Sequence, residues 1–258
     1  MFAPGGFNAT VESWSHQGIY QRLQLVGALS ESYTCVLFDR REAGRSGGRV
    51  ERLGWPAYVR QARGLLDHLG IDHAHLMGGC VGCSTAAAFA TLHPDRVRRM
   101  VLYSPAGGAR YRLGQQARFA RHQAFVAEQG LAGVVALARR SHASFSEDPR
   151  LGLWASVIRQ DAAFADRYAA LDPERYQTTV AGIARAMFDR DSVPGVEPED
   201  LMALEVPALV VPGQDASHAI SAARFLQECI PGSEYWDMPV GEQTADNAAA
   251  RIHHFLQG

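Results

Sequence analysis

The stretch Ala74-His-Leu-Met-Gly-Gly-Cys80-Val-Gly-Cys-Ser-Thr-Ala-Ala-Ala-Phe-Ala-Thr-Leu-His93 decides how the rest of the chain is read. A short apolar run, Leu76-Met77, enters Gly78-Gly79-Cys80-Val81-Gly82, and an alanine-rich helical stretch leaves it. The order is strand, sharp turn, helix, with a nucleophilic side chain at the tip. A strand that turns directly into a helix forces its tip residue into a strained backbone state, so the neighbours must lack Cβ atoms. The start of the helix then directs free N–H groups and positive partial charge at the Cys80 sulfur. A glycine-rich turn around a buried, inert cysteine has the same local pattern, so both readings stand on this stretch alone.

The 258 residues fit one large α/β domain or a core carrying an inserted subdomain. A formal charge of −2 offers no basic surface for nucleic acid or another polyanion. All basic residues other than histidine are arginines. Cys35, Cys80, Cys83 and Cys229 have no framework spacing. Cys80 and Cys83 form Cys-x-x-Cys, but no second pair stands at zinc-like spacing, so no metal is expected. With no apolar run of the ~18 residues needed to span a bilayer and no leader pattern, a cytoplasmic setting without membrane contact is expected.

Outward from the turn, Tyr33-Thr-Cys-Val-Leu-Phe38 reads as a strand buried on both faces, and residues 17–29 carry helical apolar spacing. Asp39-Arg-Arg-Glu-Ala-Gly-Arg-Ser-Gly-Gly48 follows as a loop. Val59, Ala62, Leu66 and Leu69 mark a helix from Pro56 to Leu69, with Gly70 as its stop. Met100–Tyr103 predicts the next strand. Residues 109–204 contain no β-rich run, only helical segments rich in aromatics: Phe119, Phe125, Phe145, Trp154, Phe164, Tyr168, Tyr176 and Phe188. These could line an apolar pocket, although each taken singly fits ordinary packing. Strand texture resumes at Val206–Val211, then Pro212-Gly-Gln-Asp215-Ala-Ser-His218, a helix to Cys229, and a last strand at Tyr235–Met238.

Gly78-Gly-Cys80-Val-Gly82 resembles the Gly-x-Ser-x-Gly nucleophile elbow of the α/β-hydrolase family, with cysteine in place of serine. Asp39–Gly48 is similar to that family's Asp-x-Arg-Gly-x-Gly-x-Ser loop, with Glu42 where glycine usually stands. His93-Pro-Asp-Arg-Val97 also has the family look. The resemblance covers essentially the whole chain. It implies a mostly parallel sheet flanked by helices, lacking the family's first two strands, with core segments 1–108 and 205–258 and a helical cap at 109–204. Met1–Asn8 is similar to the oxyanion loop, which implies that the backbone N–H groups of Phe7 and Val81 hold an oxyanion. Asp215 matches the position of the triad acid.

The resemblance breaks where the triad histidine should stand, because the matching dipeptide is Gly241-Glu242. A thiol, unlike a serine hydroxyl, reaches its anion without a strong base, since its reference pKa of ~8.5 falls at a helix N-terminus. Proton transfer from that thiol to an ordinary carboxylate is uphill by about 4 pKa units, roughly 6 kcal/mol. Burial of Glu242, or repulsion from Asp215, would narrow the gap, while the same charges would raise the thiol. The expected constellation is therefore Cys80–Glu242–Asp215, with His218 as the alternative base. His68, His73, His75, His93, His253 and His254 read as structural or surface residues, and His16, His122 and His142 as unsupported substrate contacts. The expected activity is attack by Cys80 on an ester, thioester, lactone or similar small apolar carbonyl compound, without a cofactor. The alternatives are lyase, isomerase or cyclase chemistry on the same scaffold, and a pseudo-enzyme that binds a small ligand. The sequence leaves a homodimer open.

Overall fold

The computed structural model describes residues 1–3, 10–16 and 18–258. In chain order, β1 (Phe2–Ala3) leads to α1 (Ser13–His16), α2 (Gly18–Leu23) and α3 (Leu25–Ser30). Next come α4 (Trp55–His68), β2 (Ala74–Cys80), α5 (Gly82–Leu92) and β3 (Val97–Pro105). Five helices then follow without a strand: α6 (Ala109–Arg140), α7 (Ala155–Gln160), α8 (Ala162–Ala169), α9 (Pro173–Met187) and α10 (Pro198–Met202). The chain closes with β4 (Ala208–Val211), α11 (Ile220–Cys229), β5 (Glu234–Tyr235) and α12 (Ala245–Gln257).

The strands form one parallel sheet in the order β1-β2-β3-β4-β5. Side chains of a strand alternate between faces, and both faces here are covered, so β4 and the middle of β3, Met100–Tyr103, are apolar on both. Leu76, Met100, Leu102, Ala208 and Val210 enter the core that also contains α4 and α5. Met77, Val101, Tyr103, Leu209 and Val211 enter the opposite layer, against Leu23, Leu25, Leu29, Ile252 and Phe255 of α2, α3 and α12. The small side chains Ala86, Ala87, Ala88 and Ala90 let α5 lie close on β2 and β3.

Two expected strands are shorter in the structure. The Tyr33–Phe38 run makes a bridge at Leu37 with Phe2, and Phe2 N–H donates to the Val36 carbonyl at 2.9 Å. It lies half-buried beside the two-residue β1, which gives it too short a ladder to qualify as a full strand. The last strand is confined to Glu234–Tyr235. The helix expected over 17–29 is divided at Gln24, whose φ of 48° is incompatible with helix continuation. Gly130 similarly breaks α6, with φ 66°.

The aromatics between β3 and β4 pack on one another. Phe119 meets Phe145 and Phe188 with ring centroids 5.3 and 5.8 Å apart, and Trp154 meets Tyr176 at 6.0 Å. Phe119, Phe145, Trp154, Phe164, Tyr168, Tyr176 and Phe188 are buried in a core of the helical segment, whereas Phe125 is half-buried at its edge. His122 is buried among them. It contacts the Tyr176 hydroxyl through Nε2 at 2.6 Å, and burial pushes its pKa down to about 4. Among the described residues, no helix is long and apolar enough to cross a membrane.

Candidate active site

Every group of the candidate site lies at the C-terminal end of the strands, where an open parallel sheet places its loops. Cys80 is the last residue of β2 and has φ 52°, a conformation in which a side chain is strained. The flanking glycines make the turn feasible. A Cβ on Gly78 would stand 2.5 Å from the Gly82 carbonyl oxygen and 2.6 Å from the Cys83 nitrogen. One on Gly79 would meet the Tyr20 hydroxyl at 2.5 Å. Cys80 keeps some accessible surface, and the Val81 N–H interacts with its sulfur.

The loop after β4 supplies the second group. Asp215 Oδ1 accepts from the N–H groups of Ser217 and His218, at 2.8 and 3.0 Å. That tight turn folds the His218 ring back onto the same carboxylate, so that Nδ1–H donates at 2.8 to 2.9 Å. Gly213 provides the room, because a Cβ there would collide with His218 Cβ at 2.3 Å. Gly107 N–H donates to the Ser217 carbonyl at 3.1 Å and fixes the loop against the end of β3. Nδ1 is thereby committed to Asp215. Nε2, buried and without a well-formed hydrogen bond, interacts with the Cys80 thiol.

The electrostatics follow from this arrangement. Burial works to raise the Cys80 pKa, but hydrogen bonding and charge from His218, the Val81 N–H and the Arg40 guanidinium outweigh it and depress the thiol. Burial works to lower His218, yet Cys80 and Asp215 together raise it to about 9. For Asp215 burial is again opposed, by His218 and the Ser217 N–H, and the carboxyl is depressed. All three shifts favour a thiolate beside an imidazolium. Cys83 behaves differently: it is fully buried, donates to the Gly78 and Tyr103 carbonyls at 3.2 and 3.4 Å, and is pushed up by burial and by Cys80.

The expected base is placed otherwise. Glu242 is exposed at the end of the turn Val240–Glu242, and its carbonyl accepts from Asn247 Nδ2 at 2.9 Å. The neighbouring Gln243 turns inward instead, fully buried, accepting from the Tyr103 hydroxyl and donating to the Met238 carbonyl. A buried acceptor is needed under Tyr103, and a neutral amide fills that place without burying a charge. Of the two candidate bases, His218 is the one that interacts with Cys80, and its signal in the sequence is the Asp215-x-x-His218 spacing, which suits an Asx turn. Phe7 lies outside the described residues. Among the described residues, no group of three or more His, Cys, Asp or Glu could hold a metal ion. An apolar cavity of about 380 Å³ lies at the opposite end of β2, lined by Cys35, Ala74, His75, Arg98 and Ile252 among others.

A model of the alpha/beta hydrolase fold matches residues 2–147. Locally, the chain is 46% identical over 49 residues to 2-hydroxy-6-oxo-6-phenylhexa-2,4-dienoate hydrolase of Comamonas testosteroni, covering 19% of this chain and 17% of that protein. It is 48% identical over 50 residues to 2-hydroxymuconate semialdehyde hydrolase of Pseudomonas sp. (strain CF600), covering 19% and 18%. These matches thus span less than one fifth of either relative. Across its full length the chain is similar in structure to the enol-lactonase of Burkholderia xenovorans LB400, with TM-score 0.61, 21% identity and 90% of that chain covered. At that identity the likeness speaks for the fold. By the family match over more than half its length, together with this architecture, the chain belongs to the α/β-hydrolase fold family.

Proposed function

We propose that the protein is a hydrolase in which Cys80 is the nucleophile, His218 its base and Asp215 the group that orients His218. The contact of Asp215 with Nδ1, which leaves Nε2 for the Cys80 thiol, carries the reading. The thiolate attacks a carbonyl carbon, forming a C–S bond, and the carbonyl electron pair moves to oxygen, where the Val81 N–H receives the charge. Collapse of the adduct expels the leaving group, which takes the proton from Nε2. Water then attacks the acyl-enzyme, giving its proton to His218, and the C–S bond breaks to restore the thiolate.

Esters, thioesters and lactones suit this chemistry. A second reading is hydrolytic cleavage of a carbon–carbon bond next to a carbonyl. It is favoured by the local identity to proteins named as hydroxy-oxo-dienoate and hydroxymuconate semialdehyde hydrolases. The helices between β3 and β4 serve in both readings as a cap over the site, residues 109–204, with the core formed by 1–108 and 205–258. An inert receptor would have no use for the strained elbow or for a histidine held by a carboxylate.

The test is turnover of activated esters, thioesters, lactones and an oxo-dienoate by the wild type and three variants. Cys80→Ala should abolish turnover, and His218→Gln should reduce kcat by about 10² to 10⁴. Glu242→Gln should remain within twofold of wild type. Full activity in Cys80→Ala would remove the covalent mechanism. Loss in Glu242→Gln with retention in His218→Gln would restore the carboxylate as base.

A further inference from the structure

A second arrangement of charge lies away from the elbow, on α9. In that helix Tyr176, Val180, Ile183 and Met187 are buried, at the 3- and 4-residue steps of an inward face. Arg175, Thr178, Thr179, Gly182 and Arg185 follow the same steps on a neighbouring face, so they form one stripe along the helix. That stripe and Arg52, from the loop before α4, line a surface pocket of about 410 Å³. Gly182 shows where Arg52 sits, because a Cβ there would stand 3.8 Å from Arg52 Nε. The Arg52 side chain thus lies over the stripe at Gly182, between Arg175 and Arg185.

Three guanidinium groups therefore line one pocket, and no carboxylate lines it with them. Among the described residues, none of the three has an ion-pair partner. The acids around α9 are placed otherwise. Asp172 caps the helix and accepts from the Arg175 N–H at 2.7 Å. Glu174 lies in the first turn and does not line the pocket. Asp189 and Glu197 both pair with Arg190, just beyond the helix. A formal charge of −2 for the whole chain hides this local excess of cations.

Like charges around one pocket repel, and an anion among them turns repulsion into attraction. The planar fork of arginine matches the oxygens of a phosphate, and bidentate pairing adds geometry to charge. Thr179 donates its hydroxyl to the Arg175 carbonyl at 2.8 Å, which leaves Thr178 as the hydroxyl able to donate into the pocket. A single carboxylate is satisfied by one fork. Three forks and a hydroxyl suit a group with more oxygens and more charge. The volume is that of a small-molecule site, and one helical stripe offers no long track for a nucleic-acid backbone. We propose that this pocket binds the phosphoryl groups of a phosphorylated small molecule, held between Arg52 and the α9 stripe. Cys80, Asp215 and His218 do not line it, so the site stands whether or not the catalytic reading does.

The experiment is calorimetric titration of the full chain with inorganic pyrophosphate and with ADP, at ionic strength held constant with sodium chloride. Saturable binding of either probe is expected, and the two arms separate recognition of the bare phosphoryl group from that of a nucleotide. Arg52→Gln, Arg175→Gln and Arg185→Gln should each weaken binding by about tenfold or more, as for a lost hydrogen bond between charged groups. All three side chains are exposed, so the variants should keep the wild-type thermal midpoint without ligand. Arg98→Gln, which removes an exposed arginine at the opposite end of β2, should bind as wild type does. No saturable binding of either probe would overturn the proposal, as would equal weakening in Arg98→Gln. Tighter, length-dependent binding of a single-stranded oligonucleotide would also overturn it, by assigning the patch to nucleic acid.

Discussion

At the scale of single residues, the proposed site is a small electrostatic circuit. Asp215 holds the Nδ1 proton of His218, so the acid and base roles fall to Nε2, and the thiol is the group that loses a proton. The folded His218 pKa of about 9 lies above its usual 6.5. Its protonation therefore stabilises the fold fully below about pH 6.5, and this contribution is lost as pH rises through about 9. Asp215 is depressed below its ordinary 3.8, so its contribution is present above that value and lost as pH falls through the folded pKa. The alkaline limb of kcat/KM should accordingly lie near pH 9. Asp215→Asn should move that limb to lower pH, because His218 then loses the partner that supports its charge. A pH–rate profile of the two proteins checks this, and an unmoved limb would detach Asp215 from His218. The Asp-x-x-His spacing was legible in the sequence. That the ring turns back to Asp215 and then reaches Cys80 depended on packing of this loop against Gly107, which no local pattern encodes.

At the scale of elements, close approach of α5 to the sheet is what shapes the elbow. Gly78 has no room for a methyl group, since backbone atoms of Gly82 and Cys83 occupy that space. Backbone cannot move aside as a flexible side chain can. Gly78→Ala should therefore destabilise by about 1–3 kcal/mol or more, measured as a lower denaturation midpoint, and should impair turnover even where folded. Within the helical segment, Tyr176 bridges His122 and Tyr168 at 2.6 and 2.5 Å. Tyr176→Phe leaves buried polar atoms unpaired and should cost about 1–3 kcal/mol by chemical denaturation. Helix boundaries were readable from apolar spacing and from Pro56 and Gly70, as shown by α4, which runs from Trp55 to His68. The division of residues 17–29 at Gln24 was not readable, because the apolar pattern continues across a residue whose backbone departs from helix.

At the scale of the whole molecule, the helical segment is tied to the sheet-bearing part at defined points. Gly195 has φ 107°, and a Cβ there would stand 2.8 Å from the Trp55 ring on α4. Ser156 at the start of α7 receives the Gly44 N–H from the loop carrying Arg40. Gly195→Ala should lower the thermal midpoint by several degrees, at about 2–4 °C per kcal/mol for a chain of this size. A midpoint within one degree of wild type would show that the Trp55 contact adjusts freely. Placement of the helical segment is thus set by contacts between residues far apart in the chain, such as Trp55 and Gly195.

The sequence by itself determined the succession of strands, turns and helices, because apolar runs and glycine-flanked turns act through neighbours a few residues away, and its resemblance to the α/β-hydrolase family implied that the sheet is parallel. Steric demand at Gly78-Gly-Cys80-Val-Gly82 is of that local kind, and so is the stop of α4 at Gly70. The tertiary structure alone decided which titratable groups meet. Glu242 and Gln243 are adjacent in the chain, yet one faces solvent while the other lies buried under Tyr103. His218 interacts with the Cys80 sulfur from a loop far away in the chain. Charge interactions depend on distance and burial, and for groups this far apart in sequence both arise only when the sheet brings its loops together at one end.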